Sequence, residues 1–154
     1  KKRYAIDYTH YLLHLDIDIV IFSNLTHDHL DYHKNITDYK FSKGILMWGL
    51  ENKKNKSLIL NKDDENYSFY ISLAKCNVNT YSINKASDIM AKKINKNFHE
   101  SNFSVFLNGN EYRIKTSLVG GFNIYNILAV FSAIKMLKKE LEEFYKCMLI
   151  QELK

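Results

Sequence analysis

Short apolar runs alternate with stretches of helical spacing along the first half of the chain, and this alternation constrains the fold more than any other feature. Residues 16–24 (DIDIVIFSN) and 57–61 (SLILN) are short runs rich in β-branched and aliphatic side chains, so both are predicted strands. Helices are predicted over 36–50 and 64–74, and a third strand over 79–82. Strands separated by helices indicate an α/β fold with a mostly parallel sheet flanked by helices.

The pattern changes over residues 88–117. Phe103, Val105 and Leu107 alternate with polar residues, and Asn108-Gly109 has the composition of a tight hairpin turn. We therefore expect a small antiparallel subsheet in this stretch.

Two helices are predicted after the subsheet. Residues 122–137 are apolar on nearly every side, which is typical of a helix buried inside a domain, and residues 140–153 form a more polar helix. At 154 residues the chain has the length of one domain. We predict a single domain over residues 1–154.

The charge and hydropathy of the chain argue against two classes of binding partner, nucleic acids and membranes. The net charge of +5 comes from lysines scattered among asparagines, which indicates a solvated basic surface and not a nucleic-acid groove. No apolar run approaches the roughly 20 residues of a membrane span, and residues 1–8 lack the apolar stretch of a secretory signal. We expect a cytoplasmic monomer that binds neither nucleic acid nor membrane.

A histidine-rich segment follows the first predicted strand. Residues 24–33 (NLTHDHLDYH) hold three histidines and two aspartates, at the strand end where α/β sheets gather their ligands. The segment is either a site for metal or phosphate chemistry or a plain structural loop.

Lys43 interrupts the apolar stripe of the helix that follows. On a helical wheel it lies between Tyr39 and Met47. The lysine either extends its ammonium to water or is desolvated into a neutral, nucleophilic amine. Such an amine can take up carbon dioxide and become a carbamate, which is a carboxylate-like metal ligand.

Four polar residues are candidates for contact with a cofactor. Asn123 and Asn126 are polar positions in the first turns of the apolar helix, where we expect them to be buried and to pair either with loop backbone or with the edge of a bound base. Asn61 and Asp64 follow the second strand, and helix capping explains them equally well.

Together these segments resemble the central domain of the Mur ligases. The matching motifs are NLTHDHLDYH, the helix DYKFSKGIL, the turn LILNKDD and the helix start GGFNIYNILA, in the family's order. The DHLDYH sequence is most similar to the branch that extends a UDP-muramoyl dipeptide.

The resemblance implies an ATP-dependent amide ligase of peptidoglycan precursor synthesis. ATP and Mg²⁺ would be its cofactors, and a UDP-muramoyl peptide and an amino acid would be its substrates, bound through flanking domains. The residues matching the family's sites are His29 for magnesium, Lys43 for the carbamate and Asn126 for adenine.

Two departures support a second hypothesis. None of the five glycines lies in a Gly-Lys-Thr/Ser phosphate loop, and Ile6 stands where the family has a metal-binding glutamate, with Asp7 one residue out of register. The alternative is a degenerate or truncated domain that binds a nucleotide weakly or acts as a scaffold. On either hypothesis we expect residues 1–154 alone to be inactive.

Overall fold

The computed structural model describes residues 16–24, 36–48, 50 and 56–137. These residues belong to two compact units. The first contains the described residues up to Leu60 together with Asp64–Val78, and the second contains Asn61–Asp63 together with the described residues from Asn79 onward. The single domain over residues 1–154 stays a prediction.

The first unit combines two parallel strands with two helices. Its elements are β1 (Ile19–Phe22), α1 (Ile36–Trp48), β2 (Ser57–Asn61) and α2 (Tyr67–Leu73). β1 runs parallel to β2, with Ile19 opposite Ser57 and Phe22 opposite Leu60. All five residues of β2 are buried, as expected for a parallel strand that is covered on both faces.

Apolar side chains from all four elements form the core of this unit. Full burial of each large apolar side chain contributes about 1.5–3 kcal/mol. The Phe22 and Tyr70 ring centroids lie 3.8 Å apart, and the Tyr70 hydroxyl donates a hydrogen bond to the Lys40 carbonyl at 3.4 Å. The buried residues of this core are Val20, Phe22, Met47, Leu50, Leu58, Leu60 and Tyr70.

α2 begins three residues later than the sequence predicts. The Asp64 Oδ1 atom accepts a hydrogen bond from the Asn66 backbone N–H at 2.7 Å, and this Asx turn occupies the residues that the prediction assigned to the first helical turn. Aspartate favours such a local turn over the interior of a helix.

The second unit contains β3 (Asn77–Ser82, from its third residue), β4 (Ile89–Lys96), β5 (Ser101–Leu107), β6 (Asn110–Thr116) and α3 (Gly121–Met136). β4, β5 and β6 are antiparallel, which confirms the predicted subsheet. β4 also pairs in parallel with β3, so β3 and the antiparallel subsheet belong to one sheet.

The hairpin turn between β5 and β6 has the predicted chemistry. Asn108 and Gly109 both have positive φ, at 51° and 82°, as a type I′ turn requires. Phe103, Val105 and Leu107 are buried, and the Tyr112 and Phe131 ring centroids lie 5.7 Å apart, which joins β6 to α3. The mixed parallel and antiparallel pairing with three described helices confirms the α/β class.

α3 is buried on one side only, so the prediction of a helix apolar and buried nearly all round is wrong. Ile124, Leu128 and Phe131 are buried, whereas Phe122 is 66% exposed and Val130 is 42% exposed. Apolarity on every side did not indicate which side packs against the sheet. None of the helices in the described residues is long and apolar enough to cross a membrane.

Candidate functional site

Lys43 lies at the carboxyl end of β1. Its Nζ atom is 5.8 Å from the centroid of the ring of Phe22, the last residue of that strand, and the Lys43 side chain is half-buried. An ammonium at this distance over an aromatic face is attracted by the ring. The structure thus places Lys43 at the edge of a parallel sheet where ligands of α/β proteins gather.

His29 lies outside the described residues, as do Ile6, Asp7 and the rest of the histidine-rich segment after residue 24. The predicted pairing of His29 with Lys43 on a metal therefore stays a prediction. Within the residues that the structure describes, no three His, Cys, Asp or Glu side chains are grouped so that they could hold a metal ion.

Asn61 and Asp64 both make local turns. The Asn61 Oδ1 atom accepts a hydrogen bond from the Asp63 N–H at 3.0 Å, just as Asp64 accepts one from Asn66. The bond from Asp63 explains how the buried Asn61 side chain is satisfied without a ligand. A contact of either residue with a nucleotide stays a prediction.

Asp63, between these two residues, is the centre of a hydrogen-bond cluster in the second unit. Its Oδ2 atom accepts from the backbone N–H groups of Ile83 at 2.7 Å and Asn84 at 2.9 Å, and Oδ1 accepts from that of Lys85 at 3.1 Å. The Tyr125 hydroxyl donates to Oδ2 at 3.0 Å. Successive N–H groups in a turn form a concavity that binds anions, and here a carboxylate occupies it.

The titration of both acidic groups reflects this cluster. Burial opposes the charged form of Asp63, but the hydrogen bonds from Asn84, Ile83, Tyr125 and Lys85 outweigh it and hold the pKa of the carboxyl below its usual value. Burial, together with the hydrogen bond to Asp63 and its negative charge, raises the pKa of Tyr125 to about 12. A carboxylate paired with a neutral phenol therefore persists across the neutral pH range.

Asn123 and Asn126 lie on the less buried side of the first turns of α3. The Asn123 Nδ2 atom donates to the Val119 carbonyl at 2.7 Å, which is the pairing with loop backbone that the sequence left open. Asn126 is exposed and Asn123 is half-buried, so the expectation that both are buried is wrong. The exposed amide of Asn126 is accessible to a ligand.

Sequence reasoning missed Asp63 and Tyr125 as a pair. Asp63 was visible within the motif LNKDD, but its partners are 20 to 22 and 62 residues further along the chain. The sequence signal for Tyr125 was a general one, because the hydroxyl of a tyrosine that packs into a domain requires a hydrogen-bond partner.

A family model and a curated relative match this chain. The model of the Mur ligase middle domain matches residues 3–134. The UDP-N-acetylmuramoyl-L-alanyl-D-glutamate–2,6-diaminopimelate ligase of Bacillus cereus is 39% identical over 122 residues, which is 77% of this chain and 25% of the relative. The chain thus spans about a quarter of the length of the curated relatives it matches.

Solved structures show the same fold at low sequence identity. MurF from Acinetobacter baumannii superposes with a TM-score of 0.80 at 15% identity, over 91% of this chain and 30% of that one. The MurF ligase of Thermotoga maritima, solved in complex with ADP, gives a TM-score of 0.74 at 15% identity, over 90% of this chain and 32% of that one.

Proposed function

This chain belongs to the Mur ligase family, whose middle domain it matches over residues 3–134, and we propose that it is the nucleotide-binding part of an ATP-dependent amide ligase. The reaction would join an amino acid to a UDP-N-acetylmuramoyl dipeptide in the cytoplasm. The placement of Lys43 at the carboxyl end of β1 carries the proposal, because the residue that resembles the family's reactive lysine lies at the edge of a parallel sheet where ligands of α/β proteins gather. The names of the relatives support the substrates.

We propose that the nucleotide base binds against the first turns of α3. The exposed amide of Asn126 can both donate to and accept from the polar edge of adenine. The Asn123 Nδ2 atom is engaged by the Val119 carbonyl, so Asn126 supplies the more accessible contact. The ADP complex of the Thermotoga maritima relative supports an adenine nucleotide as the ligand.

Lys43 would react with carbon dioxide as a neutral amine. The ammonium first loses one proton to solvent. The neutral nitrogen then forms a bond to the carbon of CO₂, one C–O π bond breaks, and a second N–H proton leaves to solvent, so over the two proton losses a cation becomes an anion with two oxygens. The half-buried position leaves the Lys43 nitrogen at the carboxyl end of β1, where a ligand of the sheet could reach it. Magnesium, held by His29 and the carbamate of Lys43, would neutralise charge on the transferring phosphoryl group.

The scaffold hypothesis is the second candidate, and Ile6 favours it. Isoleucine has no metal-binding atom where the family has a glutamate. A protein of this kind would bind nucleotide weakly and would catalyse no ligation.

The test uses the longest protein that the gene encodes. We expect it to release phosphate in a reaction that depends on ATP, on UDP-N-acetylmuramoyl-L-alanyl-D-glutamate and on an amino acid. Asn126→Ala should weaken ATP binding about threefold to tenfold, the loss of one hydrogen bond, whereas Asn110→Ala, an exposed asparagine in β6, should not. Absence of ligation in the wild-type protein would favour the scaffold.

A further inference from the structure

Asp63 joins three parts of the second unit that are far apart in sequence. It follows β2 directly, its backbone partners Ile83–Lys85 follow β3, and Tyr125 lies in the second turn of α3. The carboxylate therefore links the segments after two strands to the helix that carries the proposed base-binding asparagine.

A second carboxylate in the same unit, Asp88, forms its side-chain hydrogen bonds within a short stretch of chain, although the charge of Lys135 on α3 also acts on it. Asp88 Oδ2 accepts from the backbone N–H of Thr80 at 2.8 Å and from its hydroxyl at 2.7 Å. These bonds connect residues only eight positions apart and hold the turn between β3 and β4. Asp63 differs from Asp88 because one of its hydrogen bonds comes from α3.

The position of Tyr125 gives this difference a consequence for ligand binding. Tyr125 immediately precedes Asn126, and successive residues of an α-helix are rotated by about 100° about its axis. A hydrogen bond that fixes the Tyr125 hydroxyl therefore restricts the rotation of α3 at that turn, and with it the direction in which the Cα–Cβ bond of Asn126 leaves the helix. The hydroxyl itself faces Asp63 at 3.0 Å.

We propose that Asp63 and Tyr125 are a positioning pair, which orients Asn126 toward the base of a bound adenine nucleotide without either residue touching that base. The proposal rests on the proposed function, because it assumes that the base binds against Asn126. Asp63 and Tyr125 are then two further determinants of base recognition, and their effect on the base is separate from the binding of the phosphates.

The experiment compares ATP with inorganic tripolyphosphate, which carries phosphates but no base, by calorimetry on the longest protein that the gene encodes. Tyr125→Phe removes one hydroxyl and keeps the ring. We expect it to weaken ATP binding by no more than the threefold to tenfold loss expected for Asn126→Ala, because it acts through that one hydrogen bond, and to leave the affinity for tripolyphosphate unchanged. Asp63→Asn should change the ratio of the two affinities in the same direction.

Asp88→Asn is the matched control, because it weakens a comparable carboxylate clamp without a hydroxyl partner on α3. It should lower the melting temperature and leave the ratio of ATP to tripolyphosphate affinity as in the wild type. If Tyr125→Phe weakens both ligands equally or neither, or if Asp88→Asn changes the ratio as Tyr125→Phe does, the positioning role is wrong.

A double-mutant cycle tests the route through Asn126. If Tyr125 acts by orienting Asn126, then Tyr125→Phe should have no further effect on ATP affinity in an Asn126→Ala protein. A full additional loss there would overturn the proposal while leaving the proposed function intact. A wild-type protein that binds no ATP would overturn both.

Discussion

The amino and carboxyl ends of the strands in the first unit each hold a lysine, but in different surroundings. At the amino end, Lys56 is 3% exposed, and its Nζ atom lies 2.7 Å from Asp16 and 2.9 Å from Asp18. At the carboxyl end, Lys43 is half-buried with its Nζ atom over the ring of Phe22. The comparison teaches that two carboxylates hold Lys56 as a cation, whereas Lys43 lies over an aromatic ring at the strand ends where the proposed site lies.

The largest expected effect is the loss of ligation when the amine of Lys43, at the carboxyl end of β1, is removed. In the complete protein, Lys43→Ala should lower kcat/KM by about 1,000-fold or more, because no carbamate can form to complete the charge-neutralising site. Initial rates of phosphate release, with and without added bicarbonate, measure this. Lys40→Ala, on the same helix, is the control and should stay close to wild type. Near-normal ligation by Lys43→Ala would show that the lysine at the carboxyl ends of the strands is not needed for catalysis, and its contrast with Lys56 at the amino ends would be lost.

A smaller effect is expected from changing the ring beside Lys43. Phe22→Leu should lower the free energy of unfolding by about 1–2 kcal/mol, because a buried ring that packs on Tyr70 is replaced by a smaller side chain. Urea denaturation measures this loss. Val20→Ala is a core control in the same strand. If the ring also tunes the amine, the dependence of ligation on bicarbonate concentration will shift in Phe22→Leu and not in Val20→Ala.

At the amino end we expect a change in stability alone. Lys56→Met should lower the melting temperature, because it leaves Asp16 and Asp18 close together without their shared cation. Ligation per folded molecule should stay within about twofold of wild type, since these residues lie at the end of the strands opposite the proposed site. Activity assays normalised to folded protein provide the check, and a loss comparable to that of Lys43→Ala would mean that both ends serve catalysis.

The smallest effect concerns pH and extends the comparison to the second unit. The pKa of Tyr125 is raised from 10.0 to about 12, so its contribution to stability is complete below pH 10 and is lost as the pH rises to about 12. The pKa of Asp63 is lowered, so its contribution is present above about pH 4 and is lost as the pH falls through its folded value.

Unfolding curves between pH 9 and 12 for wild type and Tyr125→Phe test this expectation. The wild-type advantage in free energy of unfolding should shrink over that interval. The hydrogen bonds and nearby charges of Asp16 and Asp18 raise the pKa of Lys56, although burial opposes this, so both proteins should lose the Lys56 contribution only at alkaline pH, above its unfolded value. A difference between the two proteins that is constant with pH would contradict the assignment to Tyr125.

Local patterns predicted the elements of this fold well, because periodicity and turn chemistry act over a few residues. The strand at 57–61 matches β2 without change, and Asn108-Gly109 forms the expected turn. The sequence did not indicate which side of α3 faces solvent, because Phe122 and Val130 are as apolar as the residues that pack on the sheet. Tertiary packing determines which side of α3 faces solvent.

The candidate site was only partly predictable for the same reason. Lys43 was singled out as a candidate because a charge on an apolar stripe is a local anomaly. The structure places it beside Phe22 at the carboxyl end of β1, and its role stays a prediction. The link between Asp63 and Tyr125 spans 62 residues and leaves no periodic signal. Asp64, the next residue, accepts a hydrogen bond within a local turn, so two adjacent aspartates have different structural roles.

The discontinuous makeup of the second unit limits how the protein can be divided. Three residues of the second unit, Asn61–Asp63, precede the segment Asp64–Val78 of the first unit in the sequence. A recombinant fragment beginning at Asn79 would lack the Asp63 carboxylate, so the N–H groups of Ile83–Lys85 and the Tyr125 hydroxyl would lose their shared acceptor. Proteolytic cleavage between Asp63 and Asn79 would keep that acceptor only while the cut pieces remain associated. Neither unit corresponds to a contiguous piece of the gene.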